Sequence, residues 1–181
     1  MVNVKKITRQ SVRLWLLSVT IGGGLLLFGY VGMQQSLRMG LNDPQLQIAQ
    51  DIASKLNQEA TVGSVIPPTF VDESHSLASF VTIVDNNANV LASSGKIADR
   101  VPLPPTSSFP DSQKRGNNWF TWQHDGVRDA AVIVPYGNHT GYVLVARSMS
   151  QVENIIGHIT MLAGMTLVGI LITPALILLF I

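Results

Sequence analysis

The chain has 181 residues, a hydrophobic share of 46% and no cysteine, with a mean hydropathy of +0.30. Without cysteine it forms neither disulfides nor thiolate metal sites, and it carries no lipoprotein anchor. The formal net charge of +1 joins two unlike regions, and neither holds the basic patch of a nucleic-acid binder.

Residues 1–13 are a short basic tail with Lys5, Lys6, Arg9 and Arg13 and no acid. The next 20 residues, 14–33 (LWLLSVTIGGGLLLFGYVGM), are uncharged. About 20 residues of helix cross a hydrocarbon core of roughly 30 Å, and a lone segment in lipid satisfies its backbone only as a helix. The run is longer than the roughly 7–15 apolar residues of a signal peptide, and no small-residue cleavage site follows it. Residues 14–33 therefore read as an uncleaved transmembrane helix, with the basic N-terminus in the cytoplasm. Ser18 and Gly22 give it a small-residue face for helix packing, a route to a homodimer. Trp15 and Tyr30 suit the two membrane interfaces.

Residues 34–158 carry eight of the basic residues and all eleven acids, a net of −3. That length suffices for one domain with its own core. Leu37, Leu41, Ile48, Ile52 and Leu56 recur at helical spacing. Asn42-Asp43-Pro44 breaks the run near residues 40–43, so an amphipathic helix is predicted from Pro44 to Asn57, its apolar stripe turned to a sheet. Residues 59–77 read as loop, with a helical turn near Val71–Leu77. Ser79–Asp85 and Val90–Ser94, joined by a turn at Asn86–Asn89, predict a β-hairpin. Gly95–Gly116 is a proline-rich connection with a helical turn near Ser107–Arg115. Asn118–His124, Val127–Tyr136 and Tyr142–Ser148 follow with short links and predict an antiparallel meander. Residues 149–158 turn helical and run into 159–181, 23 uncharged residues that predict a second transmembrane helix containing Pro174. Neither span holds a charge, which argues against a transporter, channel or proton path.

Chemical motifs are sparse. His75, His124, His139 and His158 fall in four different elements without local metal-ligand spacing, and the first three read as surface loop and turn residues. No Gly-x-Ser-x-Gly or Ser-x-x-Lys pattern occurs. Asp85, Asp125 and Asp129 are candidates for paired carboxylates, although Asp85 and Asp125 stand at hairpin turns, where Asp is favoured for its turn-forming side chain. Asn138-His139-Thr140 is a glycosylation sequon, meaningful only in a eukaryotic secretory pathway. Trp119, Trp122, Arg128, Tyr136, Tyr142 and Arg147 in the last three strands are the best ligand candidates. An arginine beside aromatics on a sheet suits a small carboxylate. The competing reading buries the tryptophans in the core and leaves the arginines at the solvent edge.

Phe80-Val-Thr-Ile-Val-Asp85, Val90-Leu-Ala-Ser-Ser94, Asp125-Gly126-Val-Arg128 and Gly141-Tyr-Val-Leu-Val-Ala-Arg-Ser148, in that order between two spans, resemble the extracytoplasmic Cache/PAS-like sensor regions of bacterial membrane receptors and sensor histidine kinases. The resemblance covers about residues 12–181. It implies a helix that leaves the membrane and packs behind a five-stranded antiparallel sheet, whose last strand leads into the second span. The turn of such domains commonly holds Gly where this chain has Ala88, so Asn87 or Asn89 is expected to supply the left-handed residue. The stretch Asn42–Asp51 also looks like small two-span bacterial proteins. The chain ends at its second span, with no phosphoacceptor helix and no ATP lid, so kinase activity is not expected of it.

The reading is thus an α+β protein: a five-stranded antiparallel Cache/PAS-like sheet domain with a packed N-terminal helix, flanked by two transmembrane helices, with both termini cytoplasmic. The expected function is a non-enzymatic extracytoplasmic sensing or binding module that feeds a signalling partner. Its expected ligand residues are Trp122, Arg128, Tyr136, Tyr142 and Arg147, for a small carboxylate-like ligand, with no cofactor and no metal. The alternatives are a membrane subunit with a docking role, and a metal-dependent enzyme built on His124, Asp125 and Asp129.

Overall fold

The alternating and helical periods of the sequence become twelve elements in a computed structural model, which describes residues 9–39, 42–138 and 140–180. In chain order they are α1 (Arg9–Met39), α2 (Asn42–Asn57), α3 (Val62–Val65), β1 (Val71–Asp72), β2 (Phe80–Asp85), β3 (Val90–Ser93), β4 (Gly95–Lys96), α4 (Ser108–Arg115), β5 (Asn118–His124), β6 (Val127–Tyr136), β7 (Gly141–Ser148) and α5 (Ser150–Phe180). The chain divides into two compact units. One holds the helical residues up to Leu37 and those from Asn154 on, and the other holds Arg38–Glu153.

In the first unit α1 and α5 each contain 29 residues long and apolar enough to cross a membrane. Their large side chains face outward: Leu25 is 69% exposed and Phe28 82%. So much bare hydrocarbon on a helix suits lipid rather than water. The two helices also hold one another. Trp15 Nε1 donates to the Leu171 carbonyl at 3.0 Å, and Tyr30 Oη lies 2.8 Å from Thr160 Oγ1. Gly22 faces Ile170, and a Cβ there would meet its Cγ2 at 3.1 Å. The small-residue face at Gly22 is therefore engaged within the chain, where lack of a side chain permits close approach.

The second unit is an α+β domain. Its main sheet is antiparallel, in the order β3-β2-β7-β6-β5. Alternation along the strands makes two apolar faces. One face (Val81, Ile83, Val132, Val134, Tyr136, Val143, Val145) packs on Ala49, Ile52 and Ala53 of α2. The predicted amphipathic helix thus finds its sheet. The other face (Phe80, Val84, Trp122, Ala131, Ile133, Tyr142, Leu144, Ala146) packs on Val71 and on Phe109 of α4.

Two local expectations are refined or corrected. The helical turn expected near Val71–Leu77 is confined to Asp72–Ser76, where the Ser76 N–H donates to the Asp72 carbonyl at 2.8 Å; it is preceded by strand β1, which pairs in parallel with β4 (Val71 with Gly95, Asp72 with Lys96). This pairing between distant segments outweighs local preference, and Gly95 permits it by lying against the Phe80 ring, where a Cβ would clash. In the β2–β3 turn the left-handed residue is Ala88 itself, at φ 63°, not Asn87 or Asn89. Asp85 explains this: its Oδ1 accepts from the backbone of Asn87 and of Asn89, each at 2.8 Å. With both neighbours held, the reversal falls on Ala88. The predicted break lies partly outside the described residues, at 40 and 41.

Candidate functional site

The β5–β6 hairpin turns through Asp125 (φ 43°) and Gly126 (φ 79°). A two-residue turn with both residues left-handed fixes the register of its strands. His124 therefore pairs with Val127, and Trp122 with Asp129. Alternation then sets Trp122, His124 and Asp129 on one face. The β1–β4 pair delivers a fourth residue to it: Glu73, whose backbone N–H donates to the Lys96 carbonyl at 3.1 Å.

His124 Nε2 stands 2.7 Å from Asp129 Oδ2 and 3.2 Å from Glu73 Oε2. Trp122 stacks on the imidazole, with centroids 5.3 Å apart and planes at 18°. Asp125 Oδ2 faces the other ring nitrogen, Nδ1, at 4.0 Å. Both inner carboxylates are buried: Glu73 is 3% exposed and Asp129 0%. Among the described residues, neither oxygen of Glu73 has a hydrogen-bond partner, nor does Oδ1 of Asp129 or Nε1 of Trp122. An unmet buried polar group costs about 1–3 kcal/mol, and a charged one more.

Two carboxylates removed from water resist ionising together. Burial first, and then the charge of Asp129, push the Glu73 carboxyl up to about 8. Burial also raises Asp129, against the opposing pull of the His124 hydrogen bond and charge. The ligand-type atoms of Glu73, His124 and Asp129 all lie within 4.8 Å of one another. Such a set can share a proton or hold a cation.

The residues expected to bind a ligand divide between the two sheet faces. Trp122 forms a wall of the site just described. Tyr142 shares its face but is tied elsewhere: its hydroxyl meets Gln113 Nε2 at 2.5 Å, and its ring packs on Phe109 at 5.3 Å. Tyr136 lies in the core under α2. Arg147 shares the face of Val143 and Val145 by alternation. Arg128 pairs with Gln123 and reaches Glu153 Oε1 at 3.7 Å. One surface carrying all five is not formed: Trp122 pairs with Asp129, and Arg128, the residue before Asp129, points to the opposite face. Trp119 lies half-buried, its Nε1 donating to Asn117 Oδ1 at 2.7 Å.

The histidine reading is corrected for His124, which is a half-buried strand residue between two carboxylates rather than a surface turn residue. His75 is exposed beside Asp72, at 3.1 Å. His158 lies on α5, with Nδ1 2.9 Å from the Asn154 carbonyl, and His139 lies outside the described residues. Asp85 and Asp125 sit at turns as expected, whereas Asp129 is buried. Glu73 escaped the sequence reading. Its local signal is an acid two residues after Val71 in a stretch read as loop.

Comparison with protein-family models finds none that matches this chain, and comparison with curated proteins finds no match either. The functional reading rests on the geometry.

Proposed function

We propose that this chain is a membrane-anchored extracytoplasmic sensing and binding module of the Cache/PAS-like kind, giving signal input to a partner protein. In this reading α1 and α5 span the membrane, and the basic tail keeps the N-terminus in the cytoplasm. The sheet domain then lies outside, with its ligand at Glu73, His124 and Asp129. A buried anionic site favours a cationic ligand over the small carboxylate expected at Arg128 and Arg147.

One observation carries the reading. Asp129 pairs across the sheet with Ser148, the last residue of β7, and α5 begins at Ser150. Beside that pair, the Met149 N–H donates to the Arg128 carbonyl at 2.8 Å. A ligand that shifts Asp129 relative to His124 pulls on the residues from which α5 starts. The same helix continues into the apolar span, so a shift at its root is carried along a rigid rod.

The native chain has no cysteine, so spin labels attach cleanly at Gln123→Cys on β5 and Gln151→Cys on α5. In the reconstituted full chain, their separation is measured against a panel of small carboxylates, amino acids and divalent metals. A change with one compound, abolished by Asp129→Asn, supports sensing. Indifference to every compound counts against it. Impermeant maleimide on intact cells should label Lys55→Cys and spare Asn3→Cys; the reverse pattern removes the extracytoplasmic assignment.

A docking role is the second reading, favoured by Phe70 and Leu91, 70% and 50% exposed. It is selected if no compound moves the labels and a co-purifying membrane protein is lost on Leu91→Lys.

A further inference from the structure

We infer that Glu73, His124 and Asp129 form a binding site for one divalent transition-metal ion of the zinc class. As the stimulus of the sensor the metal rests on the reading above; as a binding site it stands on the geometry.

The donor set has the right chemistry. One imidazole nitrogen and two carboxylates suit borderline ions such as Zn²⁺, whereas Mg²⁺ and Ca²⁺ prefer all-oxygen shells. The spacing is close to what such an ion needs. With bonds of about 2.0–2.1 Å, donors at tetrahedral corners stand about 3.3 Å apart. Nε2 lies 3.2 Å from the Glu73 oxygen and 2.7 Å from the Asp129 oxygen, so a small opening of the second distance admits the ion.

Burial supplies an independent argument. Glu73 has a side-chain exposure of 1%, and its oxygens face His124 Nε2, at 3.2 Å, and the Asp129 carboxyl without a well-aligned hydrogen bond among the described residues. A fold that met its own needs would pair them. An ion of charge +2 neutralises both carboxylates and occupies those lone pairs. The surroundings fit as well. Metal-bound histidines are held by a partner on their other nitrogen, and Asp125 stands on that side of His124 at 4.0 Å, just beyond hydrogen-bond reach. The Trp122 ring fixes the imidazole plane.

The three ligands come from three segments, joined by the β1–β4 pair and the β5–β6 hairpin, so the site exists only in the folded domain. Binding therefore stabilises the fold.

The test uses the full chain in lipid nanodiscs, stripped with chelator and titrated with Zn²⁺ by calorimetry. One zinc per chain is expected, with a rise in Tm and no comparable effect of Mg²⁺. Co²⁺ should produce the visible absorption of a low-coordinate nitrogen–oxygen site in the native protein. Glu73→Gln and His124→Gln should each weaken zinc at least tenfold, with folding checked by circular dichroism. The absence of stoichiometric zinc binding overturns the inference. So does binding that survives both substitutions but disappears with His75→Ala, since it then belongs to the exposed His75–Asp72 pair. Zinc binding without movement of the labelled α5 leaves the metal site standing and removes the sensing role. Movement driven by another compound, without zinc binding, does the opposite.

Discussion

His124 Nε2 lies 2.7 Å from Asp129 Oδ2, across a hairpin whose register pairs Trp122 with Asp129. The imidazole is thereby clamped between an indole face and two buried carboxylates. Its removal leaves both carboxylates without a nearby nitrogen. His124→Ala is expected to destabilise the metal-free domain by about 1–3 kcal/mol, the range for leaving a buried polar group without its hydrogen-bond partner. Urea unfolding at pH 7 checks it, and a loss within error would place the site outside the folding balance.

The metal-free protein should be pH-sensitive through Glu73. Its folded value, about 8, lies above the ordinary value of 4.5, so between these the folded state holds a proton that the unfolded chain has released. The associated stability is complete below about pH 4.5 and is lost as pH rises through about 8. The loss is on the order of a few kcal/mol, since one pKa unit is about 1.4 kcal/mol. A series of melts from pH 5 to 9 should show Tm falling, and Glu73→Gln should flatten that part of the curve.

Gly141 opens β7 where there is no room for a side chain. A Cβ there would strike the Val84 carbonyl and approach the Tyr136 hydroxyl to 2.8 Å. The obstacle is backbone of the neighbouring strand and cannot swing aside. Gly141→Ala is expected to cost about 1–3 kcal/mol, the range for overpacking. Denaturant unfolding measures it. Gly63→Ala, where nothing lies within 4 Å, is the control.

Between α1 and α5, the Tyr30–Thr160 hydrogen bond at 2.8 Å is expected to contribute about 0.6 kcal/mol, the average for such bonds in membrane helices. A double-mutant cycle of Tyr30→Phe and Thr160→Val in lipid isolates it. A coupling of zero would mean that this pair contributes nothing, leaving the Trp15–Leu171 hydrogen bond and packing such as Gly22 against Ile170 to hold the helices.

Much of this architecture is written locally. The two apolar helices follow from uninterrupted hydrocarbon, because a helix long enough to cross lipid needs no distant partner for its backbone. The helix at Asn42–Asn57 and the strands at 80–85, 90–93, 118–124, 127–136 and 141–148 follow from period and turn residues, which act over a few positions. The candidate site was only half legible. His124, Asp125 and Asp129 are neighbours in sequence, and the Asp125-Gly126 turn that folds them together is a local signal.

Glu73 was out of reach. It arrives through a two-residue parallel strand whose partner, Gly95–Lys96, has no pattern of its own and is fixed by tertiary contacts: the packing of Gly95 on Phe80 and the hydrogen bonds of Ser94 to Val71 and Val81. The division of Trp122 from Arg128 and Arg147 was likewise decided by register, since a shift of one residue exchanges the faces of a strand. Composition and period determined which segments are helix, which are strand, and which helices are long and apolar enough to cross a membrane. Tertiary pairing alone determined which side chains share a face, because burial and strand register join residues that the chain keeps far apart.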